Sequence, residues 1–447
     1  MNFETALEFM HGRIRHGWKL GLERFTELCR RLGSPQNEYK IIHITGTKGK
    51  GSTTAMAAAI LAECGYRTGA YFSPYVYDVR ERVQINGVPI SKEDFARLIT
   101  EIKPHLDLLD ETDFGAVTEF ELKTALGFLH FAQQKAEVVC LEVGIGGRLD
   151  ATNIVSPSVC VITNIGLDHT QILGDTHAKI AFEKAGILKP GVPSFTAVRH
   201  PDAFAVIKER AAQVGSPLTR ILREGTFPDE KGAVRWRIAE GDPHTANLTV
   251  TTLHAEYAEI PVNLIGDYQR ENAACAIASA ESVIGDQIPL SALRTALEKL
   301  TLPGRLEVYR KPNEVLLVLD GAHNGMAAEA LSLPLASLRE KHGIKGVRLV
   351  VGMLNGHDAT EVITPIVAGV RKAYVCAPGW KRAQSAEELA EVVKRFVPQT
   401  EIYATVKEAV TSALQEAEPH EMVLVTGSFY TVGEVPEPLR NEEAHEN

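Results

Sequence analysis

The sequence predicts an α/β fold: a large domain built on a mostly parallel sheet, followed by a smaller domain of the same class. Short β-branched apolar runs alternate with longer helical patterns, and this alternation starts afresh after about residue 300. Between Phe195 and Ile265, short alternating runs with charged turns predict a small antiparallel annex to the parallel sheet. We therefore predict domains at residues 1–300 and 301–447, with the boundary at Leu302–Arg305.

The first predicted strand runs into a glycine-rich loop, and the segment 41–52 reads I-I-H-I-T-G-T-K-G-K-G-S. A strand, a glycine-rich loop and a helix N-terminus together direct bare backbone N–H groups at a phosphate. Lys50 would reach the outer phosphates, and Ser52 or Thr53 would offer a hydroxyl to Mg²⁺. The loop departs from the common pattern G-x-x-x-x-G-K-[ST] at Ile44 and Gly51. The alternative is a glycine-rich turn with an incidental lysine, but the flanking strand and helix favour a phosphate-loop (P-loop) ATPase domain.

Composition narrows the possible partners. The chain has 447 residues and a formal net charge of −10, which argues against a broad electrostatic grip on nucleic acid. Its six cysteines include no C-x-x-C pair, as expected for reduced thiols of a cytosolic protein. The N-terminus does not resemble a signal peptide, and no apolar run approaches the length of a membrane span. We expect a cytoplasmic protein with no nucleic-acid or membrane partner.

Polar side chains follow two further predicted strands. Glu142 ends one strand and precedes the glycine-rich stretch Gly144–Asp150, and His169 follows the next strand. Because ligands gather at the carboxyl ends of strands in open α/β sheets, we expect both side chains to serve a metal or phosphate. The alternatives are a solvent-facing glutamate in a loop and a merely exposed histidine. Lys184 lies near the end of a predicted helix, where a cation is favoured in any case, so the residues alone assign it no role.

Nine short motifs occur in order across most of the chain, and together they carry a family resemblance. They are T-G-T-K-G-K-G-S, F-S-P-Y, T-E-F-E, E-V-G-I-G-G-R-L-D-A-T-N, N-I-G-L-D-H, F-E-K-A-G-I-L-K-P-G, G-D-Y-Q-R-E-N-A, L-P-G-R-L-E and L-D-G-A-H-N. The series closely resembles the folylpolyglutamate synthases and their bifunctional forms, which are also dihydrofolate synthases, within the Mur ligase superfamily. The second domain is accordingly expected to be a smaller, Rossmann-like α/β ligase domain.

The resemblance implies an ATP-dependent amide ligase. Such enzymes phosphorylate a carboxylate of a folate, or of dihydropteroate, and the amine of L-glutamate then attacks the acyl phosphate. The implied cofactors are ATP and Mg²⁺, with two ions expected, and the implied partners are small-molecule substrates. We expect a monomer.

The resemblance also implies roles for individual residues. Residues matching the family's nucleotide contacts are Gly49, Lys50, Gly51, Ser52, Gln269, Asn272, Arg305 and Asp320. Those matching its metal ligands are Ser73, Glu142, His169 and Lys184, the last often carbamylated by CO₂ in this superfamily. Lys50, Lys184 and His323 are the implied catalytic residues.

Two departures and two alternatives remain open. Lys48 replaces the asparagine commonly found in the loop, and Tyr75 stands where a histidine often follows Ser-Pro. One alternative is a cell-wall ligase acting on a UDP-muramoyl peptide, disfavoured by the G-K-G-S loop ending and by the loop's start only about 45 residues into the chain. The other is a P-loop ATPase of different function, which would hydrolyse ATP without a pterin acid or glutamate.

Overall fold

The computed structural model describes residues 1–16, 21–226, 230–241 and 246–441, and it contains two sheets. The first sheet has eleven strands in the described ranges, and the second has six. The strands of the first sheet are β1 (Lys40–Thr45), β2 (Thr68–Tyr71), β3 (Val83–Ile85), β4 (Val88–Pro89), β5 (Val138–Glu142), β6 (Val159–Ile162), β7 (Ser194–Thr196), β8 (Leu218–Arg223), β9 (Val234–Ile238), β10 (Leu248–Thr251) and β11 (Glu256–Ile260). Those of the second are β12 (Glu307–Arg310), β13 (Leu316–Leu319), β14 (Gly346–Val351), β15 (Val370–Val375), β16 (Thr400–Ile402) and β17 (Glu421–Thr426).

Helices cover both faces of each sheet. They are α1 (Phe3–Gly12), α2 (Glu23–Arg31), α3 (Lys50–Glu63), α4 (Lys92–Asp110), α5 (Glu119–Gln133), α6 (Thr170–Leu173), α7 (His177–Ala185), α8 (Pro201–Val214), α9 (Asp267–Ile284), α10 (Leu290–Lys299), α11 (Gly325–Lys341), α12 (Ala359–Ile366), α13 (Ala386–Val393), α14 (Val406–Glu416), α15 (Phe429–Gly433) and α16 (Glu437–Asn441). Within the described part of the chain, none of them is both long and apolar enough to cross a membrane.

The first sheet is parallel in the middle and antiparallel at both edges. Its strand order is β11-β10-β9-β8-β7-β6-β1-β5-β2-β3-β4, and the run from β9 to β2 is parallel. One core lies under α3, α9 and α10, and a second lies under α1, α2, α4 and α5 on the opposite face. Burial on both faces explains the continuous apolar runs of the central strands.

Register brings the candidate site together. β1 lies between β5 and β6, with Ile44 opposite Glu142 and Thr45 opposite Ile162. The carboxyl ends of these parallel strands therefore meet at one edge of the sheet, where the loop after β1 begins α3. The predicted clustering of strand ends is thus built into the pairing.

The second sheet has the order β12-β13-β17-β14-β15-β16 and is parallel except for β12, which pairs antiparallel with β13. Helices α11, α12 and α13 pack on one face, while α14 and α15 pack on the other. The predicted fold class, a parallel-sheet domain with an antiparallel annex and a smaller Rossmann-like α/β domain, is confirmed.

One stretch was predicted wrongly. The first part of Phe195–Ile265 is not a series of strands, because α8 occupies residues 201–214 between β7 and β8. Pro201 begins the helix and Gly215, with φ of +70°, ends it. Ala203, Ile207 and Ala211, spaced four residues apart, form its buried face. The sequence contains these helix signals, but the strand patterns on either side led to the wrong prediction. In this stretch the antiparallel annex is confined to β9, β10 and β11.

Candidate active site

The glycine-rich loop after β1 packs tightly against its neighbours. Gly46 has φ of +154° and Gly49 has φ of +83°, conformations that L side chains rarely adopt. A Cβ atom at Gly46 would lie less than 3.0 Å from Thr163 Oγ1, and one at Gly49 would lie equally close to Asn272 Oδ1. The loop is therefore held between the end of β6 and α9. The first N–H groups of α3 have no intrahelical acceptor, which suits them to an anion.

Two lysines, the half-buried Lys50 and the buried Lys184, converge on one carbonyl of this loop. Lys50 Nζ donates to Gly46 O at 2.9 Å and to Thr47 O at 3.2 Å, and Lys184 Nζ donates to Gly46 O at 2.8 Å. Burial, and then the charge of Lys50, holds the pKa of Lys184 well below its usual range. Burial also lowers the pKa of Lys50, while Glu142 opposes that shift. Lys184 is only 3% exposed, so its position near a helix C-terminus does not explain it.

Glu142 and Ser73 lie together beside these lysines. Glu142 is the last residue of β5 and is 4% exposed, so the alternative of a solvent-facing loop glutamate is wrong. Its Oε2 accepts a hydrogen bond from Ser73 N at 2.9 Å. Burial raises the pKa of Glu142, while Lys50 and the Ser73 N–H oppose the rise. A Cβ atom at Gly51 would lie 3.5 Å from Glu142 Oε2, so the carboxylate borders the first turn of α3.

His169 is an exposed residue that lies directly before α6, with φ of +50°. Partial burial lowers the pKa of His169, and Asp168 opposes the shift. Lys50 and Lys184 also lower this pKa. Asp168, directly before His169, pairs with Lys48 of the phosphate loop, so the structure brings this segment to the loop, and the metal role of His169 stays a prediction.

An ion pair that the sequence did not predict ties the loop to the His169 segment. Lys48 Nζ lies 3.1 Å from Asp168 Oδ2, and Lys48 N donates to Asn164 Oδ1 at 2.8 Å. Burial would raise the pKa of Asp168, but Lys48 and then His169 lower it to about 2. The signal available in the sequence was the adjacency of Asp168 and His169 in one motif.

Gln269 and Asn272 lie on the first turns of α9, against the phosphate loop. Both side chains are buried, and Asn272 Nδ2 donates to Gln269 Oε1 at 3.0 Å. Asn272 also borders Gly49, as its proximity to a Cβ at that position shows. The structure therefore brings these two predicted residues to the loop.

Arg305 and Asp320 lie at the start of the second domain, Arg305 just before β12 and Asp320 just after β13. The Arg305 guanidinium carbon is 4.5 Å from the centroid of the Phe429 ring. Burial raises the pKa of Asp320 to about 6, and Arg305 opposes the rise. Asp320 accepts hydrogen bonds from Ala322 N at 2.8 Å and Leu306 N at 2.9 Å, so it fixes two loop segments of its own domain.

His323 follows Asp320 and remains neutral at physiological pH. Its Nδ1 donates to Gly321 O at 2.9 Å, and its ring lies 5.2 Å from that of His357. Burial, and then the charge of Lys48, lowers the pKa of His323 to about 3. Lys48 of the phosphate loop thus acts electrostatically on a side chain of the second domain.

The two domains touch around this site. Met326 packs against Gly166, directly before the Asp168–His169 segment. On the Ser73 side, Tyr77 OH donates to Glu307 Oε1 at 2.6 Å, and the Arg440 guanidinium lies 3.6 Å from the centre of the Tyr77 ring. The two domains therefore contact each other both beside the Asp168–His169 segment and beside the segment that follows Ser73.

The Glu142 carboxylate beside the phosphate loop suits Mg²⁺ that is bound together with a nucleotide. No group of three His, Cys, Asp or Glu side chains in the described ranges is arranged to hold a metal by itself. Mg²⁺ does not need such a cage, because it keeps waters and binds through one or two carboxylates plus substrate phosphates. Glu142 accepts only the Ser73 N–H among the described residues, which leaves carboxylate lone pairs for a cation at the phosphate loop.

A cavity of about 140 Å³ opens beside the strand ends, and the sequence did not locate it. Its lining includes Thr118, Phe120, Gly146, Asp150 and Ile172. Asp150 shapes the cavity wall, because its carboxylate accepts hydrogen bonds from the N–H groups of three loop residues and from one hydroxyl. The glycine-rich stretch Gly144–Asp150 was the sequence signal for this wall.

Comparison with known proteins decides the family. Residues 44–280 match the Mur ligase middle domain, and residues 304–429 match the glutamate ligase domain of Mur ligases. The chain is 34% identical over 442 residues to the dihydrofolate synthase/folylpolyglutamate synthase of Bacillus subtilis (strain 168), covering 98% of this chain and 99% of the relative. This chain belongs to the folylpolyglutamate synthase/dihydrofolate synthase family.

Solved folylpolyglutamate synthase structures share the whole fold. The Mycobacterium tuberculosis enzyme complexed with ADP superimposes with a TM-score of 0.87 at 28% identity, over 99% of this chain and 100% of that one. The bifunctional folylpolyglutamate synthase/dihydrofolate synthase of Yersinia pestis, complexed with AMPPNP and a Mn ion, gives a TM-score of 0.81 at 31% identity, over 97% of both chains. Members of the folylpolyglutamate synthase family therefore bind an adenine nucleotide and a divalent metal on this fold.

Proposed function

We propose that this protein is an ATP-dependent ligase that joins L-glutamate to the carboxylate of a folate through an acyl phosphate, and that it also accepts dihydropteroate. The observation that carries the proposal is the convergence of Lys50 and Lys184 on Gly46 O beside the Ser73–Glu142 pair. The half-buried Lys50 supplies a cation, and the buried carboxylate of Glu142 supplies a metal ligand, and together they suit a metal-bound polyphosphate. Family membership supplies the substrate class.

The proposed reaction uses phosphorylation because a carboxylate is a poor electrophile. The carboxylate oxygen of the acid attacks the terminal phosphorus of ATP, and ADP leaves. The amine of L-glutamate then attacks the acyl carbon and loses a proton, and phosphate leaves. Lys50 and the N–H groups at the start of α3 stabilise the negative charge that develops on the transferred phosphoryl group. Ser73, Glu142 and His169 would hold Mg²⁺, which neutralises phosphate charge when bound.

Lys184 is the proposed site of carbamylation and of a second metal contact. An amine must be neutral to add CO₂, and the lowered pKa of Lys184 increases its neutral fraction. The nitrogen of the neutral amine forms a bond to the carbon of CO₂ and loses one proton; with the proton already lost by the ammonium, two protons leave in all and a cation becomes an anion. Carbon-13 bicarbonate should give a carbamate NMR signal that Lys184→Ala removes and the surface variant Lys179→Ala retains. Equal signals from both variants would exclude Lys184.

The second domain is proposed to shield the acyl phosphate from water. Arg305 is proposed to contribute a cation to the phosphates, and His323 a neutral imidazole, from the second domain. Asp320 is proposed to support the nucleotide contact while holding the loops at Leu306 and Ala322. Gln269 and Asn272 are proposed to contact the nucleotide beside Gly49. We place the domain boundary at 300/301, and the monomeric state and cytoplasmic location stay predictions.

The cavity beside Phe120 is the proposed pocket for the pterin end of the acid. Its polar loop groups and the aromatic ring of Phe120 suit a flat heterocycle with hydrogen-bonding edges. Phe120→Ala should raise KM for tetrahydrofolate and for dihydropteroate about equally and leave KM for ATP unchanged. Unchanged KM for both acids would place the pterin elsewhere.

An ADP-release assay tests the proposed function. We expect release only when ATP, Mg²⁺, L-glutamate and a pterin acid are all present, with tetrahydrofolate and dihydropteroate run in parallel. Release without acid or glutamate would instead indicate a P-loop ATPase of another function. Release that needs a UDP-muramoyl peptide would indicate the cell-wall ligase. Activity with tetrahydrofolate alone would restrict the protein to folylpolyglutamate synthesis.

A further inference from the structure

Arg82 is a buried cation that lacks a carboxylate partner. It lies where a single 3₁₀ turn, Val79–Arg82, meets β3, and it is only 7% exposed. Its Nη1 donates to Phe72 O at 3.3 Å, and its guanidinium borders the Tyr71 hydroxyl. Its Nε has no hydrogen-bond partner, and it forms no ion pair with any described residue. Because burying an unpaired charge costs free energy, the surroundings of Arg82 favour the binding of an anion beside its guanidinium.

A second buried cation lies on the same aromatic ring. Lys123 of α5 is 8% exposed, and its Nζ lies 5.7 Å from the centre of the Tyr75 ring. The guanidinium carbon of Arg82 lies 5.7 Å from the same ring centre. Lys123 donates to Glu119 Oε1 at 2.6 Å, whereas Arg82 has no carboxylate partner among the described residues. Burial, and then the charge of Arg82, lowers the pKa of Lys123 to about 8.

This cationic cluster, defined as Arg82, Lys123 and Tyr75, lies close to the proposed reaction centre. Tyr75 is two residues from Ser73. Arg82 donates to Phe72 O, and the next residue, Ser73, donates its N–H to Glu142 Oε2 at 2.9 Å. Val76, directly after Tyr75, packs against Gly304 and Gly433 of the second domain. The cluster therefore borders the cleft between the domains.

We propose that Arg82, Lys123 and Tyr75 form a carboxylate-binding subsite for a glutamyl carboxylate other than the one that is activated. A guanidinium and an ammonium over one ring suit a carboxylate with a short aliphatic stem. The carboxylate has two possible sources, the glutamate already attached to the folate or the incoming L-glutamate. The subsite rests on the proposed function, since that function supplies the glutamyl ligand.

The competing explanation is structural. Arg82 could serve only as a distant counter-charge for Glu142 and as a support for the Phe72 carbonyl. A structural role would change thermal stability or kcat while leaving the KM of both carboxylate substrates unchanged. A carboxylate-binding role would change one KM selectively.

The experiment compares Arg82→Gln and Lys123→Met with the matched control Arg80→Gln. Arg80 lies in the same turn but pairs with Asp78 at the surface. We expect Arg82→Gln to raise one carboxylate KM by about 10- to 100-fold, the range for losing one charged hydrogen-bond partner. Lys123→Met should raise the same KM by a smaller factor. KM for ATP and the melting temperature should match those of the Arg80→Gln control.

The KM values measured for each substrate identify the source of the carboxylate. A raised KM for tetrahydrofolate with unchanged KM for L-glutamate and for dihydropteroate assigns the subsite to the attached glutamate. A raised KM for L-glutamate with either acid assigns it to the incoming amino acid. Unchanged KM for all three overturns the proposal. If Arg82→Gln does not fold, Lys123→Met decides by the same criteria, because it removes a charge from the ring without removing a contact to the backbone.

Direct binding separates this proposal from the proposed function. Calorimetric titration of tetrahydrofolate and of L-glutamate into the protein with Mg²⁺ and ADP does not require turnover. Absence of ADP release in the wild type would reject the ligase activity and leave the titration informative. Equal affinities of the wild type and Arg82→Gln for both ligands would reject the subsite alone.

Discussion

Gly49→Ala offers the sharpest test of the phosphate loop. Gly49 has a left-handed φ of +83°, which costs an alanine about 1 kcal/mol. The new methyl group would also come closer than 3.0 Å to Asn272 Oδ1, so Asn272 must turn away and give up its hydrogen bond to Gln269. That loss adds about 1 kcal/mol. We expect a total destabilisation of about 2 kcal/mol and a tenfold or larger loss of ADP affinity.

Gly65→Ala is the matched control for this substitution. Gly65 follows the same helix α3 with φ of +89°, and a Cβ there would meet nothing within 4 Å. Gly65→Ala should lower the free energy of unfolding only by the cost of the left-handed backbone, about 1 kcal/mol, and leave ADP affinity unchanged. Combining Gly49→Ala with Asn272→Ala removes the clash, so the two changes should destabilise the protein by less than their sum.

The measurements are chemical denaturation without nucleotide and calorimetric titration with ADP and Mg²⁺. Equal stability and equal ADP affinity for Gly49→Ala and Gly65→Ala would refute the crowding argument. Additive effects in the double variant would show that Asn272 is not the obstructing group. Normal ADP affinity despite the expected destabilisation would place the phosphates away from this loop.

The remaining predictions concern catalysis, metal and pH. Lys50→Ala and His169→Ala should each abolish ADP release while keeping the wild-type circular dichroism spectrum, with Lys179→Ala as an active control; wild-type rates in either variant would remove that residue from the site. Chelation of divalent metal by EDTA should stop ADP release, and added Mg²⁺ or Mn²⁺ should restore it, whereas full activity in EDTA would contradict a metal-bound nucleotide. The pKa of Asp168 is lowered from 3.8 to about 2 in the folded state, so its ion pair with Lys48 should stabilise the protein above about pH 4 and lose this effect as the pH falls toward 2. The stability difference between the wild type and Asp168→Asn should therefore be constant above pH 5 and shrink below pH 4; a difference that persists at pH 2 would exclude the ion pair as its cause.

Local patterns were enough to predict the loop and the strand ends. The glycines at 46, 49 and 51 interrupt a β-branched run and precede a helix, so the loop is encoded within a dozen residues. Glu142 and His169 were predicted at strand ends because parallel strands must align their carboxyl edges, and β1 does lie between β5 and β6. Helix α8 was missed because its signals are short and lie between strands.

Side-chain partners distant in sequence were beyond such patterns. Lys184 crosses 138 positions to reach Gly46 O. From the residues alone a helix C-terminus was a sufficient explanation for it, and only the family resemblance implied a role. The ion pair between Lys48 and Asp168 spans 120 positions, and the shared ring of Arg82 and Lys123 joins a turn to a helix. None of these pairs has a spacing that a helix or a strand would impose.

The order of residues fixes what depends on neighbours along the chain: the α/β alternation, the phosphate loop and the motif series that places the protein in its family. Packing alone determines which charges are buried and what each one faces. Burial shifts the pKa values of Lys184 and Glu142 by desolvation, and desolvation depends on atoms contributed by several separate elements. For that reason the proposed chemistry could be named from the sequence, while the unpaired cation of Arg82 could be found only in the folded chain.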